Sequence, residues 1–346
     1  MKPINIGSKE LGNGRVFLIA EVGSNHASSL SIALESIDAA YLAGADAVKF
    51  QSIKLDALYH KPTATIRNLH RRIDLPEEWY SELKSRCEKL GLTFLSSPTY
   101  LSAVDLLESL DVDLYKLASA QVAVFPQLVE RVAALGKPVL LSTGLATETE
   151  LGRVVDIFRK AGNENFVILH CNSVYPAGPE IVHMPRMLSY QRRFSCQVGF
   201  SDHTVSNVAS IASVAMGAAV IERHFTISRK IDSPDAALSL EPEEFRQFSL
   251  AVREAELVCG DLPRDSLEHD ELIFKNKIQH NLISTKSISA GQTINKQNSE
   301  LMRGKNSEGI DAWSVYEKTG ILVAKRNIRP GSWITQECIE LLQDGS

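Results

Sequence analysis

The sequence predicts an α/β fold: a (β/α)8 TIM barrel followed by a small β-rich domain. Short apolar runs rich in β-branched residues alternate with longer amphipathic runs over the first 260 residues. Eight such pairs match the count and length of a (β/α)8 barrel. After Gly260 the pattern changes to short strands and turns, which indicates a second domain.

The strands are expected to form one parallel sheet, because strands that alternate with helices build right-handed βαβ units. The predicted strands cover residues 16–21, 47–51, 93–97, 114–117, 139–142, 166–170, 197–201 and 220–224. The helical patterns include residues 29–43, 77–90, 126–135, 148–160, 206–216 and 243–257. The alternative is a doubly wound open sheet. That fold favours a glycine-rich phosphate loop after the first strand, and AEVGSNH does not have that spacing.

Three segments follow from these patterns. Residues 1–260 are predicted to form the barrel, the charged segment 261–278 a linker, and residues 279–346 the small domain. The last segment contains an internal repeat, since SISAGQTI at 287–294 resembles NIRPGSWI at 327–334. Leu301 and Leu341 fall at matching offsets, so we expect two similar hairpin units related by pseudo-symmetry.

The composition is that of an ordinary soluble protein, and the chain is as long as many enzymes. It is 44% hydrophobic and 23% charged, and its net charge of -5 gives no reason to expect a nucleic acid or an anionic membrane as partner. The polar N-terminus does not resemble a signal peptide, and no apolar run is long enough to span a bilayer. The five cysteines are scattered without a CxxC pair. Together these features predict a cytoplasmic protein without disulfides.

Polar residues cluster at the carboxyl ends of the predicted strands, where catalytic groups of a barrel lie. Any one of them has an ordinary explanation as a surface lysine, a packed histidine or a salt bridge, but their joint position on one face is not required for folding. The candidates in chain order are Glu21, Lys49, Gln51, Lys116, Ser119, Ser142, Ser173, Tyr175, Ser201, His203, Glu222 and His224.

The residue types suggest an anion pocket beside a metal. Lys49 and Lys116, with seryl hydroxyls, would supply the converging donors that a phosphate or carboxylate needs. His203 and His224 end neighbouring strands and could share a divalent ion, although a packed histidine pair remains the alternative. Glu21 could act as a general base or orient a hydroxyl.

Nine motifs in order resemble those of the sialic acid synthase family, which includes N-acetylneuraminate, legionaminate and pseudaminate synthases. The motifs are FLIAEVGSNH, GADAVKFQ, FLSSP, YKLAS, KPVLLSTG, ILHCNSVYP, GFSDHT, IERHFT and SPDAALSLEP. The tail resembles the SAF (antifreeze-like) domain of that family. The resemblance therefore covers nearly the whole chain.

The resemblance implies a role for each matching position. Phosphoenolpyruvate would be held by six residues: Lys49, Lys116, Ser119, Ser142, Ser173 and Ser201. His203 and His224 would bind manganese or magnesium. The amino sugar would contact Glu21, Gln51, Tyr175, Asp235 and, in the LMRGKN segment, Arg303.

The implied reaction condenses phosphoenolpyruvate with an amino-sugar aldehyde to give a nine-carbon acid and phosphate. Glu21, Lys49, Lys116, His203 and His224 are the expected catalytic residues, with the lysines acting as cations. The acceptor is N-acetylmannosamine or a 6-deoxy diacetamido hexose. The family pattern also implies a domain-swapped homodimer in which the SAF domain of one subunit covers the barrel of its partner.

Gln121 departs from the family pattern, which usually has an acidic residue there near the metal.

Two further hypotheses about the function stay open. One is a Schiff-base aldolase with Lys116 as nucleophile, and the other is a barrel retained as a sugar-binding scaffold without catalysis.

Overall fold

The computed structural model describes residues 1–260, 266–304, 309–317 and 319–342. The chain divides into two compact units, residues 1–260 and 261–346. The first unit is the barrel and the second is a small domain with antiparallel strand pairs. No helix in the described ranges is both long and apolar enough to cross a membrane.

The first unit begins with an antiparallel hairpin and continues as an eight-stranded parallel barrel. The hairpin strands are β1 (Ile4–Ile6) and β2 (Lys9–Leu11). The barrel strands are β3 (Phe17–Gly23), β4 (Ala47–Ser52), β5 (Thr93–Pro98), β6 (Tyr115–Leu117), β7 (Val139–Ser142), β8 (Phe166–Cys171), β9 (Gln197–Asp202) and β10 (Val220–His224).

The order around the barrel is β5-β4-β3-β10-β9-β8-β7-β6. Parallel ladders join the successive strands, and β5 and β6 lie side by side to complete the circle. This closure confirms the predicted TIM barrel and rules out the doubly wound sheet. All eight predicted strands exist, with ends that differ by at most two residues.

The helices of the first unit surround the barrel, as the amphipathic patterns indicate. They are α1 (Leu30–Leu42), α2 (Leu55–Leu58), α3 (Ala64–Ile73), α4 (Tyr80–Lys89), α5 (Leu101–Ser109), α6 (Ser119–Val122), α7 (Pro126–Ala133), α8 (Glu148–Lys160), α9 (Pro179–Val182), α10 (Pro185–Phe194), α11 (Val208–Ala215) and α12 (Pro242–Cys259). Short 3-10 turns form at Glu77–Trp79 and Ala236–Leu238.

Alternation along each strand separates two apolar layers. Outward-facing residues such as Leu18, Phe50 and Leu141 pack against the helices. Inward-facing residues form a second cluster inside the barrel, and the hairpin residues Ile4, Ile6 and Leu11 belong to it. The β1–β2 hairpin, which the sequence did not predict, therefore closes the amino-terminal end of the barrel.

The same alternation places polar side chains above the inner apolar layer. Ile19 precedes Glu21, and Val220 precedes Glu222 by the two-residue period of a strand. Side chains two apart share a face, so the polar residues continue the inner face toward the carboxyl ends. The mouth of the barrel is thus lined by polar groups above an apolar floor.

The second unit contains two helices and four strands in its described part. They are α13 (His269–Ile278), β11 (His280–Ser284), β12 (Ser299–Arg303), α14 (Ala312–Glu317), β13 (Ile321–Ala324) and β14 (Ile339–Leu342), with a 3-10 turn at Gln336–Cys338. The predicted linker 261–278 carries helix α13, which the sequence analysis missed, and its residues 261–265 lie outside the described part of the chain. A Glu268–Glu271 capping box starts α13.

The internal repeat is visible as a matched set of hydrogen bonds. Ile288 and Ile328 exchange backbone hydrogen bonds of 2.9 and 2.8 Å. Ile294 N donates to Leu322 O at 2.8 Å, and Ile334 N donates to Leu282 O at the same distance. These four isoleucines belong to one buried core. The predicted pseudo-symmetry of the small domain is therefore confirmed.

Candidate active site

A cavity of about 360 Å³ opens at the carboxyl ends of the barrel strands. It brings together eleven of the thirteen residues to which the resemblance assigns a role. They are Glu21, Lys49, Gln51, Lys116, Ser119, Ser142, Ser173, Tyr175, Ser201, His203 and His224. The two others are Asp235, which is not among the residues that line the cavity, and Arg303, which is exposed at the end of β12 in the second unit.

Two lysines and two carboxylates form a buried network at the floor of the cavity. Lys49 Nζ lies 2.7 Å from Glu21 Oε2 and 3.9 Å from Glu222 Oε1. Lys116 Nζ donates to the same Glu222 oxygen at 3.2 Å. All four side chains are almost fully buried. Two positive and two negative charges therefore compensate one another before any substrate binds.

The network shifts the pKa values of the two carboxyl groups in opposite directions. Burial raises the pKa of Glu21, and the nearby Lys49 ammonium offsets part of that rise. Burial acts in the same direction on Glu222, but Lys116 and Lys49 outweigh it, so its pKa is lowered. Glu222 thus remains ionised, whereas Glu21 is the carboxyl that can exchange a proton near neutral pH.

The pKa values of the two lysine ammonium groups also shift in opposite directions. Burial opposes the charge on Lys49, yet Glu21 and Glu222 overcome it and raise the pKa of Lys49. Burial lowers the pKa of Lys116, and Glu222 recovers only part of the loss. Lys116 is therefore the cation that gains more from an incoming anion.

Hydroxyl and amide groups surround the ammonium groups. Ser201 Oγ donates to Glu222 Oε1 at 3.1 Å, and Ser119 Oγ accepts from Gly144 N at 3.0 Å. Ser142 Oγ is buried at the cavity wall and has no hydrogen-bond partner in the described part of the chain. Ser173 Oγ lies so close to Gly144 that an added Cβ there would come within 2.3 Å of it. The serines and Gly144 thus form one compact donor surface.

The two predicted imidazoles face each other across β9 and β10. Their ring centroids are 5.3 Å apart, and the Tyr175 ring lies 4.2 Å from the His203 ring, tilted by 46°. His203 Nδ1 is hydrogen-bonded to Asn172 O at 2.8 Å, which fixes Nδ1 as the donor and leaves Nε2 with its lone pair. Burial lowers the pKa of His224, so this imidazole is neutral at physiological pH and available as a ligand.

Glu21 and Asp235 mark a second polar wall. Gln51 Nε2 donates to Glu21 Oε1 at 2.7 Å, and Ser24 Oγ donates to Asp235 Oδ2 at 3.1 Å. Gly23 lies between them: its Cβ position is 3.1 Å from Glu21, 3.2 Å from Asp235 and 3.3 Å from Gln51. Three of the five side chains that the resemblance assigned to the sugar therefore converge on one point.

Sequence reasoning noted Glu222 at a strand end but gave it no role. The signal was present, because Glu222 precedes His224 by one strand period and so points into the barrel. Cys171 was likewise missed as a cavity residue, although it follows Leu169 by the same period. Its partners come from other strands, which the sequence alone does not reveal.

A (β/α)8 barrel with buried lysines, carboxylates, hydroxyls and a histidine pair at its mouth is an enzyme that handles a small anionic substrate. The chain belongs to the NeuB family, whose model matches residues 36–263. The resemblance inferred from the nine sequence motifs is therefore confirmed.

Three comparisons with known proteins agree with this assignment. The chain is 36% identical to a pseudaminic acid synthase of Campylobacter jejuni over 303 residues, covering 84% of this chain and 87% of that protein. It is 32% identical to an N,N'-diacetyllegionaminic acid synthase of the same species, covering 90% and 96%. The crystal structure of an N-acetylneuraminic acid synthetase from Leptospira borgpetersenii aligns with a TM-score of 0.74 and 28% identity, covering 80% and 96%.

Proposed function

We propose that this enzyme condenses phosphoenolpyruvate with an amino-sugar aldehyde of the N-acetylmannosamine type. The products are a nine-carbon 2-keto-3-deoxy acid of the sialic acid class and inorganic phosphate, released by cleavage of the carbon–oxygen bond. The buried Lys49–Lys116 pair beside hydroxyl donors is the observation that carries the proposal, within a family whose relatives are named as such synthases.

The anion pocket fits phosphoenolpyruvate because two buried ammonium groups and several hydroxyls converge on the cavity. Lys116 donates one hydrogen to Glu222 at 3.2 Å, and a phosphate oxygen can accept one of the remaining hydrogens of the ammonium. Ser142 and Ser173 offer hydroxyl donors on the same side, and Ser119 and Ser201 can do so when their hydroxyls turn away from Cys171 and Glu222. Charge-assisted bonds of this kind are about twice as strong as neutral ones.

The residues present also fit a divalent metal, with Mn2+ or Mg2+ proposed. His224 Nδ1, Gln121 Oε1 and Glu222 Oε2 are buried at the cavity and have no hydrogen-bond partner among the described residues. His203 and His224 would hold the ion, and the Gln121 carbonyl oxygen is a further acceptor where the family usually has a carboxylate. A bound divalent ion would polarise the aldehyde carbonyl of the sugar.

The protein groups then account for the proton movements. The methylene carbon of phosphoenolpyruvate attacks the sugar aldehyde, and water adds to the enol carbon that becomes electron-poor. The resulting tetrahedral centre expels phosphate. Glu21, whose pKa is raised by burial, is placed to give a proton to the new hydroxyl or to take one from water. Lys49 and Lys116 neutralise the departing phosphate.

The sugar is proposed to lie against Glu21, Gln51, Asp235 and Tyr175. Tyr175 is 51% exposed, so its ring presents a face to an occupant of the cavity. The relatives leave the acceptor open between N-acetylmannosamine and the 6-deoxy diacetamido hexoses of the legionaminate and pseudaminate routes. A polar wall of one amide and two carboxylates suits either type, because each offers hydroxyl and acetamido groups.

The second unit is proposed to be an SAF domain that serves a cytoplasmic, domain-swapped homodimer. Arg303 is exposed at the end of β12, where its side chain is available to a partner. The cavity, as the described residues define it, is lined by residues of the first unit alone. An arginine from another subunit would complete it on the acetamido side of the sugar.

A Schiff-base aldolase is a second candidate, because burial lowers the pKa of Lys116 and so favours the free amine. Against it, Glu222 Oε1 accepts from that ammonium at 3.2 Å and stabilises the cation. Borohydride with pyruvate would trap a covalent adduct on Lys116 in an aldolase and none in the proposed synthase. A non-catalytic scaffold would show neither reaction.

The test is phosphate release from phosphoenolpyruvate with Mn2+ and a panel of acceptors. The panel contains N-acetylmannosamine, its 6-phosphate, mannose and the two 6-deoxy diacetamido hexoses. Release with one amino sugar, lost with EDTA and in His203→Ala, is the expected result. A folded, metal-loaded protein that releases no phosphate with any of them would contradict the proposal.

A further inference from the structure

A second buried ion pair lies on the outer face of the barrel wall, behind the two histidines. Asp202 and Arg223 are direct neighbours in the ladder between β9 and β10. Arg223 Nη1 lies 3.0 Å from Asp202 Oδ2, and their side chains are 3% and 0% exposed. Neither residue lines the cavity, and the proposed reaction does not use either of them.

Each member of this pair sits between two cavity residues. Asp202 lies between Ser201 and His203, and Arg223 lies between Glu222 and His224. Alternation turns the ion pair outward and its chain neighbours inward. A displacement of either outward residue is therefore transmitted through one peptide unit to an imidazole.

Arg223 also holds the backbone that follows His203. Its Nη2 donates to Thr204 O at 2.7 Å, and its Nη1 donates to Ser206 O at 3.1 Å and Asn207 Oδ1 at 3.2 Å. The guanidinium thus joins β10 to the loop after β9 through three acceptors besides Asp202. Its planar fork is pre-organised for such multiple bonds, which an ammonium cannot reproduce.

Asp202 completes the attachment from its own strand. Its Oδ1 accepts from Thr204 N at 2.8 Å, and its Oδ2 accepts from Ser210 Oγ on α11 as well as from Arg223. On the other side of the loop, His203 O accepts from Ala177 N at 2.9 Å. His203 is therefore fixed by backbone contacts on both sides before any ligand binds.

We propose that the Asp202–Arg223 pair is the positioning device that sets the separation of His203 and His224, and with it the affinity for the divalent ion. The proposal rests on the metal site of the proposed function. A metal site loses affinity when its ligands drift, because ligands must be held to within about 0.5 Å of the binding geometry. Groups behind the ligands typically contribute about 10- to 100-fold in affinity.

The informative change is Arg223→Lys, which keeps the charge beside Asp202 but loses the fork that reaches the loop. The matched control is Arg253→Lys. Arg253 makes a comparable set of bonds, to Val16 O at 2.9 Å and Asp46 Oδ2 at 3.0 Å, but at the opposite end of the barrel. Both changes remove an arginine fork, and only one of them touches the histidine loop.

Two measurements distinguish a role in positioning the histidines from a general effect on the stability of the fold. Hydrogen exchange of the metal-free protein reports whether the amides of residues 203–207 lose protection. Mn2+ affinity comes from the electron paramagnetic resonance signal of free Mn2+. We expect Arg223→Lys to speed exchange in this loop and to weaken Mn2+ binding by about tenfold. Arg253→Lys should leave both readouts as in the wild type, even where the melting temperatures of the two variants fall alike.

Several outcomes would overturn the proposal. Wild-type Mn2+ affinity in folded Arg223→Lys would do so, as would equal weakening in both lysine variants. If Arg223→Lys does not fold, Ser210→Ala carries the same test, because it removes only the hydroxyl that orients Asp202. Absence of Mn2+ binding in the wild type would overturn the metal site itself. If the wild type binds Mn2+ and His203→Ala abolishes that binding, the metal site stands. The comparison of Arg223→Lys with Arg253→Lys then decides the positioning role by itself.

Discussion

Lys49 Nζ lies 2.7 Å from Glu21 Oε2 at a point in the barrel where both side chains are only 2% exposed. Removing ions from water costs several kcal/mol for each ion, so such a pair adds little to stability although both partners depend on it. The pair is therefore better explained as part of a site that must present a cation to an anionic substrate. Its effects on the stability of the fold and on the activity can be measured separately.

Lys49→Met should lower the free energy of unfolding by about 3–5 kcal/mol, because Glu21 and Glu222 lose a buried cation and Glu21 must take up a proton to remain in the interior. The double variant Lys49→Met with Glu21→Gln should recover most of that stability but no activity. Denaturant unfolding and phosphate release measure the two effects. The control is Lys54→Met, which breaks an exposed pair of 2.8 Å with Glu77 and should change stability very little. Recovery of activity in the double variant would contradict a substrate-binding role.

Gly144→Ala should weaken phosphoenolpyruvate binding. A Cβ at Gly144 would lie 2.3 Å from Ser173 Oγ and 2.9 Å from Ser173 N, so the backbone of the donor surface must move. We expect KM for phosphoenolpyruvate to rise by about tenfold or more, as a loss of about 1.4 kcal/mol in binding implies. The control is Gly152→Ala in α8, which meets nothing within 4 Å and replaces a helical glycine, so stability should rise slightly. An unchanged KM in Gly144→Ala would contradict the assigned pocket.

His26 should make the stability of the barrel depend on acid pH. It is fully buried, and burial lowers its pKa to about 4, below the usual value of 6.5. Between these values the unfolded chain binds a proton that the folded chain refuses, so the stability present above pH 6.5 is lost as the pH falls toward 4. The shift corresponds to about 3 kcal/mol.

The measurement is urea unfolding at several pH values, followed by the fluorescence of Trp79, whose ring lies 5.9 Å from His26. His26→Asn should reduce the slope of stability against pH, and His60→Asn, at an exposed position, should not. Equal slopes in wild type and His26→Asn would show that another group causes the acid sensitivity.

Strand periodicity predicted which residues lie on the inner face of the barrel better than it predicted which of them bond to one another. Glu21, Lys49 and His224 could be found because each lies on a strand that begins with apolar residues and alternation fixes the face on which it lies. The bond between Lys116 and Glu222 joins residues 106 positions apart, and no local pattern encodes it. The same holds for Asp235, which reaches the sugar wall from the long loop after β10 through Ser24.

The missed elements have equally specific causes. The hairpin β1–β2 has only three residues in each strand, too few for a periodic signal. The sequence of helix α13 predicts a linker because it is highly charged, and the structure buries none of its residues, so the helix lacks the apolar stripe that marks most helices. Arg303 lies on a short strand of the second unit, where only the family resemblance pointed to it.

Mixing two inactive variants tests whether Arg303 serves the barrel of its own subunit or that of a partner. In a domain-swapped dimer, a heterodimer of His203→Ala and Arg303→Ala has one site with both changes and one site with neither. Random exchange of subunits should therefore restore about a quarter of the wild-type activity, since half of the dimers are mixed and each has one intact site. Neither variant alone should exceed its own residual rate, and mixing His203→Ala with His224→Ala, both changed in the barrel, should restore nothing. If Arg303 served the barrel of its own subunit, each site of a mixed dimer would carry one of the two changes. The first mixture would then stay as inactive as its parents although its subunits had exchanged, and the swapped arrangement would be wrong.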